Sequence, residues 1–348
     1  MAITVYPEKI QFTNYSLNID ENGLKVSGNG IFSAAVLQIA GGRFGTVSGY
    51  SSGGATSAAP SYSNIIDKFP FASDANATDV GDLTRGVYTS SGQSSAVAGY
   101  TSAGYSPAPP SGNDSIIDKF PFATNANASN IGGLTVARRG PAGQMSDVSG
   151  YASGGSDNSG AYATLVTYNT IDRFSFATNG NATDVGDLSV ARTNLGGQSS
   201  SVSGYTSGGM GPAPVYVQYN IIDKFPFATN TNASDVGDLT VSRYATAAQS
   251  SSVSGYISGG TSGSGGLNVI DKFPFATNAN ATDVGDLTQG RYGPAGQSSF
   301  VSGYSSGGTL PAGSRSNIID KFPFATDGNA TDVGDLTVAR TAPAGQQN

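Results

Sequence analysis

One stretch recurs almost letter for letter through this chain: IIDKFPFATNTNASDVGDLTVSR, residues 221 to 243, has five near copies. The Asp of the IDK or IDR step falls at Asp67, Asp118, Asp172, Asp223, Asp271 and Asp320, with gaps of 51, 54, 51, 48 and 49 residues. A Tyr 15 to 21 residues upstream keeps the same beat, at Tyr50, Tyr100, Tyr151, Tyr205, Tyr256 and Tyr304. A period near fifty with several short strands per unit belongs to propellers, whereas helical solenoids carry a 3.6-residue apolar rhythm that is missing here. The repeat therefore predicts blades.

Each unit divides into four strands at its turn residues, which is one propeller blade. The first is the small, polar GQSS segment (Gly92 to Ser95, Gly296 to Ser299, with relatives at Gln144, Gln198 and Gln249), suited to crowding round an axis. The second is SGYTSGG, as at Ser203 to Gly209; the third is NIIDKFPFAT, Asn220 to Thr229; the fourth is DVGDLTVSR, ending near Arg243. Period two on the third strand sets Ile221, Asp223, Phe225 and Phe227 on one face and Ile222, Lys224 and Pro226 on the other. Both faces then carry apolar groups, as blades packed face to face require. Pro226 belongs near a strand end, where its missing N–H does no harm. Five or six large apolar side chains per blade supply about 10 kcal/mol, far less than ordering some fifty residues at about 1 kcal/mol each. One blade cannot fold alone, so the ring forms as a whole.

An Asp sharing a face with two Phe needs a partner once buried. A partner recurs four residues after the Leu of GDLT or GGLT: Arg138, Arg192, Arg243, Arg291 and Arg340. In the first repeat that place is Val87, with Arg85 two residues earlier. The expectation is an Asp–Arg pair within about 4 Å between strands or blades, serving structure rather than chemistry.

The closing residues PAGQQN, Pro343 to Asn348, repeat the first-strand motif with no unit after them. They are expected to supply the inner strand beside Tyr50, giving six blades; the alternative is a seventh blade built with the N-terminal segment. Residues 1 to 40 lie outside the repeat. There Ile10, Phe12, Leu17 and Ile19 alternate with polar residues, DENG supplies a turn, and Leu24 and Val26 resume the alternation. This reads as a β-hairpin extension, an adaptor or a cap, ahead of a propeller over 41 to 348.

Composition narrows the chemistry. With 49 Gly among 348 residues and no three-residue period, the chain is rich in tight turns but is not collagen. The recurring aromatic pair argues against disorder, the other reading of a Gly-, Ser-, Asn- and Ala-rich chain. There is no Cys, His or Trp, which removes Cys- and His-ligated metal sites, thiol chemistry, disulfides and histidine acid–base work. The formal charge of −7 and the lack of a basic cluster make nucleic acid and anionic membranes poor partners. No apolar run reaches the roughly 18 residues of a membrane span, and MAITVYPEKI does not read as a secretory signal. Nearly every acid belongs to the sixfold motif, whereas a catalytic carboxylate pair should break the symmetry of one repeat. No enzyme is expected, and no cofactor or metal. The turn ATDGNATDVGD (325 to 335) offers Asp327, Asn329, Thr331, Asp332 and Asp335 at roughly alternate positions, but it lacks the Gly and bidentate Glu of a calcium loop. Asx-turn chemistry accounts for the same letters.

Between the second and third strands the copies lose their identity: residues 55 to 64, 105 to 115, 156 to 170, 210 to 220, 261 to 268 and 309 to 317 share little. These segments sit at equivalent blade ends and should crown one face. Variable loops on a rigid scaffold are where binding usually lives. Tyr62, Tyr105, Tyr162, Tyr168, Tyr216 and Tyr219 stand there among Gly, Ser, Pro and Asn, a mix used by paratopes and suited to sugar faces. They are the candidate binding residues.

The units resemble kelch repeats. The resemblance covers about residues 42 to 348 and is carried by a Gly-Gly doublet closing the second strand, at Gly53-Gly54, Gly154-Gly155, Gly208-Gly209, Gly259-Gly260 and Gly307-Gly308, with Ala103-Gly104 as the variant. A third strand with an Asp and aromatics follows, then a Leu and an Arg. The chain departs from that pattern in lacking the Trp that kelch units usually place at the start of the fourth strand. The phrases IDKFPFAT, NATDVGDL and SGYTSGG are similar to repeat proteins of tailed phages of aquatic bacteria, especially cyanophages, and IQFTNYSLNIDENGLKVSG looks like the leading segment of phage structural proteins. That resemblance implies a virion or tail-fibre component, assembled in the host cytoplasm and released by lysis. It would be joined to other virion proteins through its N-terminal segment, with room for a homo-oligomer, and would meet a host surface glycan or protein. Two other readings stay open: a virion scaffold or decoration protein with no receptor, and a free carbohydrate-binding lectin.

Overall fold

A computed structural model describes residues 10–12, 15–20, 23–27, 45–57, 61–106, 112–157, 165–263 and 265–348. The chain divides into two compact units, Met1–Ile39 and Ala40–Asn348. In the first, Ile10–Phe12, Tyr15–Asp20 and Gly23–Ser27 form an antiparallel three-stranded sheet. Its Asp20↔Gly23 pairing closes the hairpin that the DENG turn predicts, and Ile10–Phe12 adds a third strand to it.

The second unit is a six-bladed β-propeller. Each blade is a four-stranded antiparallel sheet with its strands in chain order from the axis outward, as in Gly196–Ser199, Ser203–Ser207, Ile221–Pro226 and Ser234–Asp238 of blade 4. Blade 1 is made from both ends of the repeat array: Ala344–Gln347 is its inner strand and pairs Gln346 with Tyr50. The ring therefore closes with six blades, and the strands of the N-terminal unit belong to none of them.

The inner strands sit so close that an added Cβ on Gly345 would lie 2.1 Å from the Gly296 carbonyl oxygen, and five of the six equivalent positions are Gly. Behind them runs a ring of buried glutamines. Each of Gln93, Gln144, Gln198, Gln249, Gln297 and Gln346 donates its Nε2 to the backbone carbonyl of the repeat Tyr in the next blade, at 2.9–3.1 Å.

Between blades the apolar contact is repeated with little change. The second-strand Tyr of one blade stacks on the second Phe of the next blade's pair and tilts against the first; Tyr151 meets Phe227 at 4.8 Å and Phe225 at 5.6 Å between ring centroids. Phe225 itself covers Gly204 across its own sheet, where an added Cβ would meet the ring at 2.3 Å. Ile222 faces the other way, into the cluster with Tyr205, Leu239 and Phe273. The alternation read from the sequence is thus the two-sided packing of a blade, and Pro226 ends its strand.

The outer strand is shorter than the sequence suggests. It stops at Asp238, so Arg243 lies beyond it. The cause is the next blade: the Asp271 carboxylate accepts the Thr240 N–H at 2.9 Å and its Oγ1–H at 2.6 Å, drawing the chain off the sheet edge toward the neighbour. Arg243 then reaches the same carboxylate at 2.8 Å. The same pairs form for Arg138–Asp172, Arg192–Asp223, Arg291–Asp320 and Arg340–Asp67, at 2.9–3.0 Å, with both side chains fully buried. Burial pulls each of these guanidinium pKa values down, and the Asp opposes that pull. Between blades 1 and 2, Arg85 reaches Asp118 at 2.9 Å and Asp114 at 2.6 Å, while Val87 fills the usual Arg position. Burial pushes the Asp118 carboxyl up, against the pull of Arg85.

Truncating one partner of such a pair strands a buried charge, at about 3–5 kcal/mol. Asp223→Ala should therefore destabilise the propeller by about that much in denaturant unfolding, whereas the apolar double variant Asp223→Leu/Arg192→Met should recover most of the loss. Equal destabilisation by both would show that the loss does not come from the stranded Arg192 charge.

Burial also raises the phenol pKa of all six repeat tyrosines, that of Tyr304 to about 12. Below the ordinary value of about 10 the phenols are protonated in both states and stability does not depend on them. Above it the unfolded chain loses protons that the folded chain keeps, so stability should fall as pH rises from about 10 to about 12. A denaturation midpoint unchanged between pH 9 and pH 11.5 would contradict this.

Candidate functional site

The direction of the strands decides where the variable segments go. In each blade the inner strand runs away from one end of the axis and the second strand returns to it, so all the second-to-third connections open at that end. The first-to-second and third-to-fourth turns lie at the other.

Before each inner strand one residue takes a left-handed backbone: Thr89, Gly140, Asn194, Ala245, Gly293 and Ala342, with φ of 52–67°. Each donates its N–H to the carbonyl of the equivalent residue one blade back, Gly140 to Thr89, Asn194 to Gly140, and so on round to Thr89 to Ala342, at 2.6–3.0 Å. Six hydrogen bonds thus close a circle about the axis. Four of the six are not Gly, and a left-handed conformation costs such residues about 1–2 kcal/mol each. Strain of this kind persists where surrounding structure over-determines it. The circle lies at the base of the axial cavity, as its floor ring, and a smaller space of about 40 Å³ lies among the inner strands below it.

Above it lies a bowl of about 870 Å³, within the range of small-molecule and cofactor sites. Its wall carries the residue just before each floor residue: Tyr88, Arg139, Thr193, Tyr244, Tyr292 and Thr341. Each of these bridges the top of its own blade's second strand, as Tyr244 does to Thr261. The second-to-third loops add Tyr216, Gln218, Pro311 and Arg315, among others. Arg315 donates to Thr309 Oγ1 at 2.6 Å. Arg139 donates to the Tyr88 hydroxyl at 3.2 Å and lies 5.9 Å from the centre of the Tyr105 ring. Among the described residues no carboxylate lines the bowl.

Of the tyrosines that the sequence singles out, Tyr216 lines the bowl. Tyr62 and Tyr105 stand behind the wall, at 5.0 and 5.6 Å from Tyr88 between ring centroids, and form an aromatic buttress for it. Tyr105 lies at the end of a strand, Ala98–Ser106, rather than in a loop. Tyr168 and Tyr219 sit outside the lining, their carbonyls accepting the N–H groups of Arg192 and Arg243; burial, with Asp157 nearby, raises the Tyr168 phenol pKa. Tyr162 falls outside the described residues. Sequence reasoning missed Tyr88, Tyr244, Tyr292, Arg139 and Arg315. For the first four a signal existed: they follow the lock Arg position directly, where the repeat changes letter from copy to copy.

At the other end the donors of the ATDGNATDVGD turn are engaged in the fold. Asn329 Oδ1 accepts the Asp286 N–H of the neighbouring blade, Asp332 Oδ1 accepts the Gly334 N–H two residues on, and Asp327 pairs with Lys272. Among the described residues no three or more His, Cys, Asp or Glu side chains are grouped to hold a metal ion. That end also exposes one Val per blade in the first-to-second turn: Val47, Val97, Val148, Val202, Val253 and Val301, at 53–68 %. The two ends of the axis are chemically unlike. No helix among the described residues is long and apolar enough to cross a membrane.

No protein-family model matches the chain, and no curated protein matches it.

The floor generates a sharp comparison. Ala245→Pro removes one N–H of the circle and cannot adopt φ of 54°, so it should cost about 3 kcal/mol or more. Ala245→Gly keeps the bond and relieves the left-handed strain, and should stay within about 1 kcal/mol of the parent. Chemical denaturation of the two variants checks this, and similar stabilities would mean the circle carries no load.

Proposed function

We propose that this chain is a recognition component of a tailed-phage particle, joined to other virion proteins through its N-terminal segment and offering the bowl end of the propeller to the surface of a host cell. The observation that carries the proposal is where the differences lie: six blades nearly identical in their packing residues vary at one end of the axis, round one concave site. Packing constrains the blades; ligand fit is the constraint that remains for the rim. The lining supports binding rather than turnover. It offers aromatic faces, hydroxyls, amides and two guanidinium groups, and no carboxylate to act as acid or base. The phage setting rests on the similarity of the repeat phrases and of the N-terminal segment to phage structural proteins.

Fluorescently labelled protein added to cyanobacterial cells should be retained at the cell surface. The triple variant Tyr88→Ala/Tyr244→Ala/Tyr292→Ala should lose at least about tenfold in retention, since buried Tyr anchors dominate interfaces of this kind. Val97→Thr/Val202→Thr at the other end should leave retention unchanged. Binding indifferent to the tyrosine substitutions would leave the scaffold reading, and particles that fail to label with antibody to this chain would remove the virion assignment.

A further inference from the structure

The bowl has a charge opposite to that of the protein around it. The chain carries a formal −7, yet the described residues of the lining include Arg139 and Arg315 and no Asp or Glu. The six variable segments, read in full, contain only two acids. Asp114 is held by Arg85 at 2.6 Å, and Asp157 accepts the Asn113 side-chain N–H at 2.9 Å. A cationic concavity in an acidic body draws anions to one place and repels them elsewhere.

The two arginines are also placed across from each other. Arg139 precedes the floor residue Gly140; Arg315 is bonded to Thr309, which bridges Tyr292, the residue before Gly293. In the floor circle Gly140 and Gly293 are three steps apart in a ring of six, which is opposite. Tyr244 stands on one side of the line between them and Tyr88 on the other, with Tyr292 at the Arg315 end, so aromatic surface lies between the charges.

Resting on the recognition reading above, we infer that the bowl takes an acidic saccharide, a short run of sugar rings bearing carboxylate or sulfate groups at both ends of the site. The tyrosines offer the ring faces that sugars stack on, and each guanidinium offers the planar fork that carboxylate and sulfate oxygens fit. Two cations suit a ligand with a few charges. A nucleic acid would need a broader basic surface to overcome the acidic body.

The test is an array of immobilised glycans, uronate-rich, sialylated, sulfated and neutral, probed with the full-length chain. Acidic glycans should be retained over their neutral counterparts, with retention falling as salt is raised. Arg139→Gln and Arg315→Gln should each weaken retention by about tenfold, and Arg139→Lys should weaken it less. Matching melting curves would show that the variants are folded. Arg315 lies across the bowl from the Tyr88 cluster, so its variant reports on charge without disturbing that cluster. Retention of neutral glycans alone, unaffected by either Gln variant, overturns the inference and leaves the recognition reading standing. So does an array that retains nothing while cells still retain the protein. Displacement of bound glycan by a 20-nucleotide DNA at equal charge concentration would overturn it in favour of nucleic acid.

Discussion

A carboxylate with no access to water must find its hydrogen bonds inside the protein, and here it finds them on a different blade. Asp223 takes the Ser189 N–H and hydroxyl and the Arg192 guanidinium, all from the end of the preceding repeat. No blade can satisfy its own Asp in this arrangement, so the cost of burying the charge is met only when the neighbour is in place. Against an apolar replacement such a pair has little net value; what is costly is to bury either partner without the other. Phe225 and Phe227 against Tyr151 supply the adhesion, and the lock fixes the angle at which it is applied. Six equal angles close a ring.

The same residue decides where the site is. Because Thr240 and Arg243 are drawn to the next blade, the chain leaves the outer edge of one sheet and travels inward along the seam to the axis. The residue after the Arg therefore arrives at the rim of the bowl, and the one after that at its floor. Scaffold and site are three consecutive positions: Arg243 in the seam, Tyr244 on the wall, Ala245 in the circle. The first and third are tied to neighbouring blades, one by its side chain and the other by its backbone. The second changes letter from copy to copy, and so does the third, whose tie is made by backbone alone.

This explains what could and could not be read from the letters. Strand number, blade order, closure by Ala344–Gln347 and the two-sided use of the IIDKFPF strand follow from periodicity, because packing is repeated six times and repetition makes it legible. The lock was legible too, since Asp and Arg recur at fixed offsets and neither tolerates burial alone. The end of the outer strand was not. Its residues continue a strand-like pattern up to Arg243, and the force that lifts them off the sheet comes from an Asp some thirty residues later. The wall escaped for a related reason. Tyr is frequent in the long irregular segments, yet of those residues Tyr216 reaches the lining while Tyr62 and Tyr105 serve Tyr88 from behind.

The floor gives the bowl a further property. In a closed circle each N–H meets the carbonyl of its neighbour, so the six floor residues have spent the backbone donor and acceptor that point along the ring. The polarity of the surface there comes from side chains, those of the wall together with Thr89 and Asn194 of the circle, and these differ from blade to blade. Sixfold backbone geometry therefore supports a site with no sixfold symmetry: Tyr, Arg, Thr, Tyr, Tyr and Thr in order round the axis. The packing residues stay nearly constant from blade to blade, and the wall positions are among the letters that change, so one repeated backbone carries different side chains round one cavity.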